Sequence, residues 1–264
     1  MILDSKNVIT GAKEGVQICL LVIIPSLFPY LILSNILTTA INGRWSIFAT
    51  GLLGGYPAGA QAIKTAYDLK RINKNQAENM LTYCNQAGPA FIFGMLSQLF
   101  TRAYIPWLIW CIHILSALII YTIFHKGDNR MIQANQRLNT CTLPESVERS
   151  VKSISLICGW VILFRIILQI INIRIFRQGS GIGNVIISGL LELSNGCVML
   201  NGICNERLRF ILCAVFLGFG GICVTFQTIS ITKGLKIKKY VIAKVFQCFI
   251  SGLMAAVFSV ILLH

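Results

Sequence analysis

Residues 54–61, Gly54-Gly55-Tyr56-Pro57-Ala58-Gly59-Ala60-Gln61, interrupt an apolar segment that occupies residues 47–67. Three glycines and a proline in eight residues will not hold a regular helix. Pro57 lacks a backbone N–H and crowds the preceding turn, while the glycines add backbone freedom. In water such a stretch is a loop. In an apolar segment long enough to cross a bilayer it is a helix broken at membrane depth. The freed backbone must then be buried in protein or line a wet cavity, because hydrocarbon offers no hydrogen bond. Broken helices of this kind build the substrate sites of secondary transporters.

Composition agrees with a membrane setting. Only 12% of the 264 residues are charged against 55% hydrophobic, about half the charge of a soluble domain, and mean hydropathy is +0.73. Divided by the roughly 20–25 residues of a spanning helix, the chain predicts about seven or eight apolar segments with short connections. The expected fold is an all-α polytopic membrane protein with several broken or re-entrant helices. Net charge is +14, and most of it lies between apolar segments, where basic loops set topology and meet anionic headgroups. The lipid bilayer, not nucleic acid, is therefore the expected partner. Ten cysteines show no CxxC pair or zinc spacing. Most lie in apolar runs, where Cys behaves as a small hydrophobe, so no metal or cofactor is expected.

Taken in order, residues 11–40 hold Pro25 and Pro29, which should kink the segment or fold it back. Residues 77–100 are interrupted by Asn85-Gln86-Ala87-Gly88-Pro89, and residues 104–124 are unbroken. A polar linker is expected over 126–148, between a first membrane half (1–125) and a second (149–264). In the second half, residues 151–173 carry Arg165. Residues 183–200 are short and carry Glu192, Ser194 and Asn195, and residues 208–231 carry Gly220 and Gly221. Residues 241–263 close the chain. If every segment spans, the basic Lys233–Lys239 loop falls opposite the others, against the positive-inside rule; a re-entrant 183–200 restores it. A repeat joins the halves. Gly54-Gly55 precedes Gln61 as Gly220-Gly221 precedes Gln227, and Lys70 meets Lys236 at the same offset.

Polar side chains at membrane depth are costly and face a bundle interior or wet cavity. The candidate substrate-binding set is Gly54, Gly55, Tyr56, Gln61, Asn85, Gln86, Arg165, Glu192, Ser194, Asn195, Gly220, Gly221 and Gln227. Arg165 suits a substrate carboxylate and Glu192 a proton or cation; the alternative is an ion pair between them. Lys64 is near enough to its segment end to snorkel, and His113, alone on an apolar segment, reads as packed. No P-loop, G-x-S-x-G or H-E-x-x-H occurs, so no enzyme, and no ATP-driven pump, is expected.

The motifs Pro25-Ser26-Leu27-Phe28-Pro29, Gly54 to Ala60, Asn85 to Phe91 and Leu217 to Gly221 resemble those of the YlbJ-type sporulation integral membrane proteins, grouped with the nucleoside-recognition Gate-domain proteins. The likeness covers essentially the whole chain; Gln61 stands where the family pattern suggests lysine. The resemblance implies movement of dipicolinic acid across the outer forespore membrane during endospore formation, and a remote relation to nucleoside transporters. The expected function is transport of a small carboxylated or heteroaromatic solute. Nucleoside transport, and a non-transporting scaffold of a sporulation complex, are the alternatives. Homo-oligomers or sporulation membrane partners stay open.

Overall fold

A computed structural model describes residues 5–40, 44–125, 142–174 and 181–262. All regular elements among them are helical. Helix α1 (Ser5–Ile18) continues through a π-helical stretch, Cys19–Ile23, into α2 (Ile24–Ala40). The prolines have the expected effect: Ser5–Ile23 and Leu27–Leu33 meet at 56°. Next come α3 (Arg44–Gly54), α4 (Ala58–Asp68), α5 (Lys74–Cys84), α6 (Pro89–Gly94) and α7 (Ile105–Phe124). Then follow α8 (Leu143–Arg174), α9 (Ile182–Leu191), α10 (Leu193–Met199), α11 (Glu206–Phe219), α12 (Gly221–Ile231) and α13 (Lys238–Leu262).

Local chemistry sets the ends of these helices. A capping box starts α5: Asn73 Oδ1 accepts from Gln76 N at 2.9 Å, and Gln76 Oε1 accepts from Asn73 N at 2.8 Å. Asn205 caps α11 by accepting from Leu208 N. Pro89 opens α6 at the first turn, where its missing N–H costs nothing.

Among the described residues, four helices are long and apolar enough to cross a membrane: Ile105–Phe124, Leu143–Ile171, Glu206–Ile231 and Lys238–Leu262. The bent N-terminal pair makes a fifth. This is fewer than the seven or eight apolar segments of the sequence, for a geometric reason. Residues 47–67, 77–100 and 183–200 break into helices of 6–11 residues. Eleven residues reach only about 16 Å, half the bilayer core.

Two of these broken segments fold back on themselves. A Cβ on Gly51 would lie 3.2 Å from Gly59 Cα, whereas eight residues of straight helix would separate them by about 12 Å. Helices α3 and α4 are thus a hairpin, its tip at Gly55-Tyr56-Pro57, where the Tyr56–Pro57 peptide is cis. Gly196 likewise sits against the Gly189 backbone, making α9 and α10 a second hairpin with Glu192 at the tip. The segment 183–200 thus reverses direction within itself.

Two further expectations change. The linker is shorter than 126–148, because α8 begins at Leu143; residues 126–141 lie outside the described residues. The two glycine pairs of the repeat sit in different kinds of element, Gly54-Gly55 at a hairpin tip and Gly220-Gly221 at a break inside the span Glu206–Ile231. The two basic loops, by contrast, share one end of the bundle, in keeping with the expectation for a fold-back in 183–200. Glu78 Oε1 accepts from Lys236 N at 2.9 Å, and Lys239 Nζ donates to Asn79 Oδ1 at 2.8 Å.

Helix α1 packs on α8 through Gly11 and Gly15. A Cβ there would lie 3.0 Å from Ile166 Cα and 2.9 Å from Ile162 Cα, the close approach that small residues four apart allow in membranes. Helix α13 packs between α5, α7 and α11. Its opposite face, including Phe246, Phe249 and Leu253, is exposed and suits lipid.

Candidate functional site

A broken helix leaves backbone groups without partners, and here side chains take them up. At the α5–α6 break, Gln86 Nε2 donates to Tyr83 O at 3.2 Å, and Ala87 N donates to His113 Nε2 at 3.0 Å. At the α11–α12 break, Leu217 O accepts from Tyr56 OH at 3.0 Å. At the second hairpin tip, the Glu192 carboxylate accepts from Ser194 N at 3.0 Å and Asn195 N at 2.6 Å. The Gln86 and Glu192 bonds are local, whereas His113 reaches in from α7 and Tyr56 ties the first hairpin tip to the α11–α12 break.

The breaks also touch directly. Gly55 has φ +74°, and a Cβ on it would lie 2.8 Å from Gly88 N. Gly220 and Gly221 have φ +80° and +84°; a Cβ on Gly220 would lie 3.0 Å from Tyr56 OH, and one on Gly221 would lie 3.2 Å from Leu193 N. Each hairpin tip thus meets the helix break that follows it, and Tyr56 reaches from the first tip to Leu217 at the α11–α12 break.

Where these breaks converge there is a cavity of about 50 Å³, lined by Gly55, Tyr56, Ala87, Gly88, Glu192, Ser194 and Gln227. Val22, Ile23 and Leu27 of the bent N-terminal pair close it, with Ile157 and Val161 of α8. That volume holds a few waters and is well below the roughly 300–1,000 Å³ of small-molecule pockets. The polar lining is one carboxylate, a phenol, a hydroxyl and an amide. Glu192 is 3% exposed.

The other candidates stand elsewhere. Asn85 and Gln86 are buried behind the wall: Asn85 Nδ2 donates to Thr228 Oγ1 at 2.9 Å and Tyr240 OH at 3.2 Å, leaving its Oδ1 without a partner. Arg165 does not pair with Glu192. Its Nε donates to Glu14 Oε2 at 3.0 Å, and its Nη1 bonds Asn195 Oδ1. Gly54 ends α3, and Gln61 lies on α4 away from the lining. Lys64 pairs with Asp68 four residues on. His113 is buried, as its packed reading suggests, and it also holds Ala87 N.

The largest addition is Lys244 on α13. It is 1% exposed. Its Nζ donates to Gln247 Oε1 at 2.9 Å, Gln86 Oε1 at 3.1 Å and Tyr56 OH at 3.3 Å, and lies 5.1 Å and 5.8 Å from the Tyr56 and Tyr240 ring centres. Gln247 extends the network to Gln86 and Ser116, and Ser251 also bonds Ser116. The sequence held a signal for it: Tyr240, Lys244, Gln247 and Ser251 recur at helical spacing, a polar stripe on an otherwise apolar helix.

No family model matches the chain, and no solved structure matches it. It is similar to the sporulation integral membrane protein YlbJ of Bacillus subtilis (strain 168), with 22% identity over 96% of this chain and 76% of the relative. The YlbJ-type resemblance carried by the glycine and proline motifs therefore extends over nearly the full length, and the chain is an integral membrane protein related to a sporulation protein.

Proposed function

We propose that this relative of a sporulation membrane protein is a solute carrier whose site is the cavity between the two hairpin tips. One observation carries the reading: the irregular backbone at Gly55-Tyr56, Ala87-Gly88 and Glu192-Ser194 converges on one cavity. Irregular backbone at membrane depth is tolerated where it lines such a space, and in carriers it is where solute binds. The order hairpin, broken segment, long apolar helix occurs twice, as α3–α4, α5–α6, α7 and as α9–α10, α11–α12, α13. It supports two repeated halves, with access alternating as one hairpin or the other leaves its break. The cavity is then the closed form and must widen to admit a solute.

The leading solute is a small carboxylated heteroaromatic acid, dipicolinate by resemblance, carried across the outer forespore membrane during endospore formation. Glu192 is the proton or cation site, since a carboxylate in the lining would otherwise repel a dianion. A nucleoside or nucleobase is the second reading, favoured by the neutral hydrogen-bonding groups of Tyr56, Ser194 and Gln227. The test is uptake of labelled dipicolinate into proteoliposomes, with uridine in parallel and Glu192→Gln as the altered-site control. Saturable dipicolinate uptake that fails in Glu192→Gln supports the leading reading. Uridine uptake alone moves the assignment to nucleosides. If neither solute enters vesicles holding folded protein, the carrier reading falls and a scaffold role replaces it.

A further inference from the structure

Resting on that carrier reading, we propose that Lys244 is the residue that makes the cavity select anionic solutes, acting as a positive charge placed one side chain behind the wall. Lys244 is the one lysine or arginine fully buried among the described residues, and it differs from the part-buried Arg165 in its partners. Arg165 is neutralised by Glu14. Lys244 meets no carboxylate among the described residues; its three N–H donors go to two amide oxygens and a phenol. The titratable groups around it are Tyr56 of the first hairpin, Cys84 of α5, His113 of α7 and Tyr240 of its own helix. None is an acid of carboxylate strength. Buried charge is strongly unfavourable unless paired, and the cage leaves the pairing incomplete.

The missing negative charge has one open place to enter. Tyr56 touches both sides: its hydroxyl accepts from Lys244 Nζ at 3.3 Å, and its side chain lines the cavity. Gln86 holds the same amine and is followed by Ala87 and Gly88, also in the wall. A carboxylate in the cavity is therefore about one side chain from the amine, with low-dielectric protein between them, where charges interact strongly. Glu192, in the same wall, acts in the opposite sense. The two groups make contrary predictions for how affinity follows solute charge, so they can be separated.

The test is binding to the purified full chain by calorimetry, using one ring at three charges: pyridine-2,6-dicarboxylate, its monoamide and its diamide, with uridine alongside. In the wild type, affinity should rise with each negative charge. Lys244→Gln keeps hydrogen bonding and removes the charge. It should weaken the dicarboxylate roughly thirtyfold or more, the value of one unit charge about 8 Å away at an effective dielectric near 20, and leave the diamide unchanged. Lys244→Met, apolar against the two tyrosine rings, is the second variant should Lys244→Gln not fold. Equal weakening of all three solutes marks a structural role and overturns the proposal, as does a charge preference that survives both variants. Wild-type preference for the diamide or for uridine overturns the proposal and leaves the carrier reading standing. If the folded wild type binds none of the four, both fall.

Discussion

Gly55→Ala tests the contact on which the site depends. Gly55 sits at φ +74°, a conformation that costs alanine about 1–2 kcal/mol. The added methyl would lie 2.8 Å from Gly88 N and 3.1 Å from Gly88 Cα. Both atoms are backbone, held by the α5–α6 break, so relief requires the hairpin tip to part from the break. Overpacking of this sort costs about 1–3 kcal/mol. The sum is about 2–5 kcal/mol. The matched control is Gly94→Ala, on exposed helix surface with no atom within 4 Å of the new methyl, where alanine should be neutral or stabilising by up to about 1 kcal/mol. Thermal unfolding of both purified variants in one detergent, followed by circular dichroism, should show Gly55→Ala melting at least about 4 °C below wild type, at about 2–4 °C per kcal/mol, and Gly94→Ala at or above it. If Gly55→Ala melts with the wild type, the first hairpin tip does not rest on Gly88, and the convergence of breaks is wrong.

Other substitutions probe the supports of the site. Glu192→Ala removes the carboxylate that accepts from Ser194 N and Asn195 N; a lost cap costs about 1–2 kcal/mol, and the same melting assay should show Glu192→Gln retaining part of it. The Glu14–Arg165 pair, with side chains 37% and 19% exposed, should give a coupling of about 0.5–1 kcal/mol in a double-mutant cycle with Glu14→Gln and Arg165→Met. Zero coupling would mean the pair does not tie α1 to α8. Asn73→Ala should lower the melting midpoint by the equivalent of about 1 kcal/mol through the broken capping box of α5, leaving solute binding unchanged.

The breaks were legible because glycine and proline announce them locally. Gly55-Tyr56-Pro57 and Gly88-Pro89 turn out to be a hairpin tip and a break between two short helices, and Glu192 stood out as an acid in a short apolar segment. What each break becomes was not legible. A tip that reverses the chain and a break that continues it both need glycine, so Gly54-Gly55 and Gly220-Gly221 look equivalent in sequence and are not so in space. Partners were hidden for a related reason: Glu14 lies 151 residues from Arg165 and Lys244 lies 188 from Tyr56, and local pattern says nothing about such distances. Lys244 was overlooked because a lysine six residues inside a helix reads as one that reaches out to the headgroups. Tyr240, Gln247 and Ser251 on the same face show that it turns inward.

Part of the cavity wall comes from residues with little or no side chain, Gly55, Ala87 and Gly88, beside Tyr56, Glu192 and Ser194. Peptide groups are the same whatever residue carries them, so truncating side chains one at a time cannot delete this part of the surface. A conventional alanine scan would pass over the glycines as mild changes or score them as folding defects, and would report the neighbouring tyrosine and carboxylate as the whole site. The informative scan runs the other way, adding atoms at the glycines and asking which additions block a solute that the empty protein still tolerates. It also follows that the surrounding sequence can change widely while the recognition surface stays the same, provided that the turns holding those peptides survive.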